Sequence, residues 1–122
     1  MLIIEENKIY LTKGDDGVLP VDVHSGDGEY TMNEADVLTL TVRELPSADS
    51  PILMQVQSNP GSNRIIISAK DSADMTPGQY SADIQLTNGS NRKYTLWPLL
   101  DGIARYRVAN FKNFILMPEV TV

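Results

Sequence analysis

Apolar and polar residues alternate along most of this chain, and the alternation has the period of a β-strand. In the run VLTLTVR, Leu38, Leu40 and Val42 fall on one face and Thr39, Thr41 and Arg43 on the other. Lys8–Thr12 places Ile9 and Leu11 together, and Gln79–Thr87 places Tyr80, Ala82, Ile84 and Leu86 together. Further strands are predicted over Val18–Val23, Pro51–Gln57, Arg64–Ser68, Arg92–Trp97, Gly102–Val108 and Phe111–Met117. Pro20 marks the second run as an edge or a kink, since proline cannot donate to a ladder. The β-branched run RIIIS (Arg64–Ser68) predicts a strand covered on both faces.

The separators are turn chemistry: GDDG, SGDG, NPGSN, TPG, NGSN and DG. Each supplies residues that accept positive φ or pre-set a turn. Asn88-Gly89-Ser90-Asn91 between two alternating runs predicts a hairpin over residues 80–97. Asn59-Pro60-Gly61-Ser62 predicts a second hairpin over residues 52–68. No stretch sustains a helical period. Single helical turns are predicted at Met32–Asp36 and at Asp71–Asp74, the latter capped by Asp71 or Ser72. The expected fold is an all-β, immunoglobulin-like β-sandwich of about seven to nine short antiparallel strands with one or two helical turns, forming one domain over residues 1–122.

The 122-residue chain is 42% hydrophobic and 21% charged, ordinary values for a globular domain. It has no cysteine, which excludes disulfides, thiolate metal sites and a cysteine nucleophile. The opening MLIIEE lacks the basic start and longer apolar run of a signal peptide, and no apolar run is long enough to predict a membrane span. The net charge of −6 is uneven: residues 1–50 carry a balance of −8 and residues 51–122 one of +2. The late bases, Arg92, Lys93, Arg105, Arg107 and Lys112, are spaced out rather than massed, so nucleic acid is not an expected partner.

Candidate chemistry is sparse. His24, the single histidine, ends a strand in VDVHSGDG, where an exposed structural role is expected rather than a relay with Ser25 or Asp22. The acids Asp15, Asp16, Asp22, Asp27, Glu29, Glu34 and Asp36 suggest calcium, but none fits the EF-hand spacing, and solvated turns are expected instead. No phosphate loop is present. Trp97 and Tyr94 suggest a carbohydrate-binding face, although a strand-end tryptophan before Pro98 is more often a lid on the core. No catalytic site, cofactor or metal is expected.

Several motifs, in order, resemble a family of phage structural domains: Thr12-Lys13-Gly14-Asp15, Tyr30-Thr31 with the run Ala35–Arg43, and Pro77-Gly78-Gln79-Tyr80-Ser81-Ala82-Asp83-Ile84-Gln85-Leu86. Tyr94-Thr95-Leu96, Phe114-Ile115-Leu116 and Pro118-Glu119-Val120-Thr121 complete the series. The family is similar to the N-terminal β-sandwich of siphophage baseplate upper proteins and to small tail-associated proteins of phages and prophages of Gram-positive bacteria. Ala35 and Ala82 depart from the family pattern, where a glycine and an aromatic are common. Pro98–Gly102 lengthens the last hairpin.

The resemblance implies a non-enzymatic virion structural protein of a tail or baseplate, located in the virion or, during assembly, in the bacterial cytoplasm. Its partners would be itself and other virion proteins. The family-like positions are Gly14, Asp15, Asp36, Gly78, Tyr80, Asp83 and Ile84. Tyr80 is expected to cover the core and Asp83 to face outward or hold a turn. The apolar stretch near the C-terminal end offers Phe111, Phe114 and Leu116 as an assembly interface, with closure of the core as the rival role. A carbohydrate- or cell-surface-binding module is the alternative function.

Overall fold

The computed structural model describes residues 1–5, 8–25, 28–47, 49–97 and 112–119. Among the described residues, alternation and turn chemistry produce short strands joined by turns, with no α-helix. The strands are β1 (Leu2–Glu5), β2 (Lys8–Thr12), β3 (Gly17–Pro20), β4 (His24–Ser25), β5 (Gly28–Glu29), β6 (Val37–Arg43), β7 (Ile52–Gln57), β8 (Arg64–Ile67), β9 (Gly78–Thr87), β10 (Lys93–Trp97) and β11 (Phe114–Met117). The architecture is all-β and sandwich-like, as its sequence pattern predicts.

A main sheet runs β1-β2-β11-β9-β6-β7, with β10 also on β9, while β3 pairs β8 and β4 pairs β5. The β3–β8 pair sits between the two ends of the main sheet. β8 lies beside β7, and β3 beside β1, so closely that a Cβ on Gly17 would stand 3.0 Å from Leu2 Cβ. One core results. β2 contributes Ile9 and Leu11; β6 contributes Leu38, Leu40 and Val42; β8 contributes Ile65 and Ile67; β9 contributes Ala82, Ile84 and Leu86; β11 contributes Phe114 and Leu116. Each fully buried valine, leucine, isoleucine or phenylalanine side chain contributes about 1.5–3 kcal/mol through the apolar area removed from water.

β9 is the longest strand and belongs to both halves of the main sheet. Its start pairs β11 (Tyr80 opposite Phe114), and its end pairs β10 (Leu86 opposite Tyr94). β6 covers its other edge from Ser81 to Thr87. Between β11 and β10 the first edge would be bare at Ala82. There the buried side chain of Asn113 acts as a strand. Its Oδ1 accepts from the Ala82 N–H at 2.7 Å, and its Nδ2 donates to the Ala82 carbonyl at 2.8 Å. The backbone of Asn113 is also engaged: its N–H donates to the Tyr80 carbonyl, and its carbonyl accepts from the Ile9 N–H.

Several expectations need correction. The strands are not all antiparallel, because β11 runs parallel to β2 with Phe114 opposite Ile9. Residues 52–68 are not a hairpin: β7 pairs β6 and β8 pairs β3. NPGSN is instead a crossing between sheets, tied to the start of β6. Ser58 Oγ accepts from the Leu38 N–H, and the Gly61 N–H donates to the Asp36 carbonyl at 2.8 Å with Gly61 at φ +83°. RIIIS is covered on one face only, since Ile66 is 59% exposed.

The run predicted over Val18–Val23 is a strand only to Pro20, and β1 goes unanticipated because Leu2–Glu5 has no alternation. A single 3-10 turn occurs among the described residues, at Ala69–Asp71, with Ser68 as its N-cap. Asp71 ends that turn instead of capping a later one, and Met32–Asp36 forms an ordinary turn. The strand expected over Gly102–Val108 lies outside the described residues.

Ile84 is 4% exposed at the centre of β9. Ile84→Ala should lower the unfolding free energy by about 2–5 kcal/mol in a denaturant titration, the range of large-to-small core changes. A loss under about 0.5 kcal/mol, the range of surface substitutions, would contradict this core assignment.

Candidate functional site

The most closely knit polar group is built where the chain leaves β5 and enters β6. Asp36 immediately precedes β6, and its side chain is fully buried. Its Oδ2 accepts from the Tyr30 hydroxyl at 2.6 Å and from the Asn33 backbone N–H at 2.8 Å. Asn33 Nδ2 in turn donates to the Tyr30 hydroxyl oxygen at 3.1 Å. Asp36 Oδ1 is buried with no hydrogen-bond partner among the described residues. Hydrogen bonding to the Asp36 carboxylate favours the protonated phenol and raises the Tyr30 pKa above its ordinary value, with desolvation and the Asp36 charge adding to it.

Beside this group lies a cleft of about 380 Å³, lined by residues that include Val21, Asp22, His24, Tyr30 and Gly61. His24 is exposed there, as its strand-end position predicts. The arrangement can lock the entrance to β6. Tyr30 holds its proton against a carboxylate, and both Asn33 contacts close the turn from Tyr30 to Asp36.

The other residues singled out in the motif series make local contacts. Gly14 takes φ +82°, a conformation that favours glycine, and its N–H donates to the buried Ser72 hydroxyl at 3.0 Å. Asp15 pairs with the N-terminal amine. Asp16 accepts from the Ala69 N–H at 2.7 Å, and Asp71 accepts from the Ser68 N–H at 2.7 Å. Asp15, Asp16 and Asp36 tie chain segments together, a more specific role than the solvated turns expected of them from sequence. No group of three or more metal-ligating side chains occurs among the described residues.

Gly78 stands opposite Leu116. Tyr80 is half-buried against the core, and its hydroxyl donates to the Thr76 carbonyl, closing the TPG turn. Asp83 is half-buried opposite Thr41 on the outer face of the sheet.

The expected assembly interface is overturned at two of its positions. Phe114 is 0% exposed and Leu116 is 1% exposed, because both point from β11 into this chain's own core. Phe111 lies outside the described residues. Trp97 and Tyr94 do not form a joint platform: Trp97 packs against the core, and Tyr94 is exposed. Two neighbouring bases, Arg92 and Lys93, are exposed at the β9–β10 turn. No helix among the described residues is long and apolar enough to cross a membrane.

The surface feature missed by the sequence pattern is a row of exposed apolar side chains. Val18 on β3 and Ile66 on β8 are direct cross-strand partners, 48% and 59% exposed. β1 beside β3 adds Ile3, and β7 beside β8 adds Ile52 and Leu53, each 40–48% exposed; Ile4 shares instead the face of its partner Ile9. Strict alternation inside RIIIS was the available signal, because it puts Ile66 opposite in direction to Ile65 and Ile67.

Spectrophotometric titration should reveal a tyrosine that ionises above the ordinary range, and Tyr30→Phe should remove it. The folded state holds the Tyr30 proton more tightly than the unfolded chain. The corresponding stabilisation is complete below the unfolded pKa of about 10 and is lost as pH rises through the higher folded value. A titration that is uniform and unchanged by the substitution would refute the Tyr30–Asp36 bond.

Comparison with known proteins found no matching family model, no matching curated protein and no matching solved structure.

Proposed function

We propose that this protein is a non-enzymatic structural component of a phage or prophage virion, an interaction module of the tail or baseplate. It acts by burying surface against copies of itself or neighbouring virion proteins. The observation that carries this reading is the exposed apolar row on β1, β3, β8 and β7. Scattered single apolar residues on a surface need no explanation, but a row over four neighbouring strands does, and association is the usual one. The order of the motifs from Thr12-Lys13-Gly14-Asp15 to Pro118-Glu119 supplies the virion context. The protein would then reside in the virion, or in the bacterial cytoplasm while the particle assembles.

One observation favours a carbohydrate- or cell-surface-binding role. The outer face of β6 and β7 carries rungs of amides and hydroxyls, with Gln55 Nε2 donating to Thr41 Oγ1 at 3.1 Å and Gln57 reaching Thr39, and such groups match sugar hydroxyls.

Mass spectrometry of purified particles from an induced host should find the chain as a fixed component. Absence from the particles, together with selective binding on a glycan array, would reject the structural role in favour of the second.

A further inference from the structure

The β3–β8 pair presents two different faces. Leu19, Ile65 and Ile67 point inward and are at most 3% exposed, while Val18, Pro20, Arg64 and Ile66 point outward. In a chain of net charge −6, this outer face carries no acid on either strand, and its single charge is Arg64. Copies of the chain repel one another through their acidic surfaces, and here that repulsion is weakest. An occupant of the face must offer apolar side chains at its centre and a carboxylate for Arg64.

Resting on the assembly function inferred above, we propose that this occupant is a second copy of the chain, packed face to face about a two-fold axis that runs along the strands between β3 and β8. The strand order across the surface is β1, β3, β8, β7. The axis reverses it, laying β3 of one copy over β8 of the other and β1 over β7. Val18 then meets Ile66, because the two share one register position. Ile3 on β1 is carried toward β7, where Ile52 and Leu53 are exposed. Arg64 meets the Pro20 end of β3, since Pro20 is its register partner.

Asp22 lies two residues beyond Pro20, about 7 Å along the chain, within reach of an arginine side chain. Asp22 and Arg64 are both exposed. The surface is therefore complementary to itself in apolar content and in charge, as an isologous interface requires. One strand pair with a single neighbour on each side makes a small interface, so a weak, concentration-dependent dimer is expected.

Sedimentation velocity on the full chain, from about 1 µM to about 1 mM, brackets the affinities of small interfaces. Wild type should pass from monomer to dimer over this range. Ile66→Asp should weaken association at least about tenfold, the loss expected when a charge enters an apolar contact. Its melting temperature should be unchanged, since Ile66 lies outside the core; Val18→Lys is the second variant if that one fails to fold. Arg64→Asp should weaken the dimer, and adding Asp22→Arg to the same chain should restore it.

If wild type dimerises but these variants dimerise equally well, the face is not the interface, and the assembly function stands on another surface. If wild type is monomeric throughout, a second copy is not the occupant, and assembly depends on other virion proteins.

Discussion

The side-chain amide of Asn113 holds the two halves of the main sheet together. β9 needs a partner along its whole edge, because an unpaired buried peptide group costs about 1–3 kcal/mol. β11 supplies partners for its start and β10 for its end. At Ala82, between them, the N–H and carbonyl both turn away from β6 and would be buried and unpaired. Asn113 offers an acceptor and a donor at the spacing of a peptide group, and its backbone links the same point to β2 and β9. Among neutral side chains only asparagine and glutamine carry a carbonyl acceptor and an N–H donor on one amide, and glutamine is longer by a methylene. β11 begins directly after this anchored position, with Phe114 buried and opposite Ile9.

A second constraint acts on the connections. The N-terminal half has far more acids than bases, yet two of its carboxylates are committed to backbone N–H groups. Asp16 ties the β2–β3 turn to Ala69, and Asp36 closes the turn into β6. Gly14 adds a further tie to Ser72. These bonds bring loops distant in sequence onto each other, so the acidic turns that resembled ligand loops are part of the frame. The apolar row on the outer face of the β3–β8 pair and its neighbours takes no part in this frame.

What was legible in the sequence was local. VLTLTVR became β6 because alternation is a property of neighbouring residues, and Asn88 closed its hairpin by accepting from the Ser90 and Arg92 N–H groups. The turn residue Gly14 and the core residue Ile84 were legible for the same reason. Pairing over long distances was not. NPGSN carries the same turn chemistry as NGSN, but its strands find partners in different sheets. Nothing in the residues 52–68 themselves reveals that. Phe114 and Leu116 look the same whether they face a partner or a core. The role of Asn113 depends on Ala82, thirty-one residues away, and had no local signature at all.

Native-state hydrogen exchange at the Ala82 amide tests the role of Asn113 most directly. In wild type this N–H should exchange only through global unfolding, among the slowest in the protein. In Asn113→Ala it should exchange through local opening, faster than the amides of β6 across the strand. An Ala82 amide that already exchanges in wild type as fast as those of exposed turns would contradict the claim that Asn113 completes the sheet.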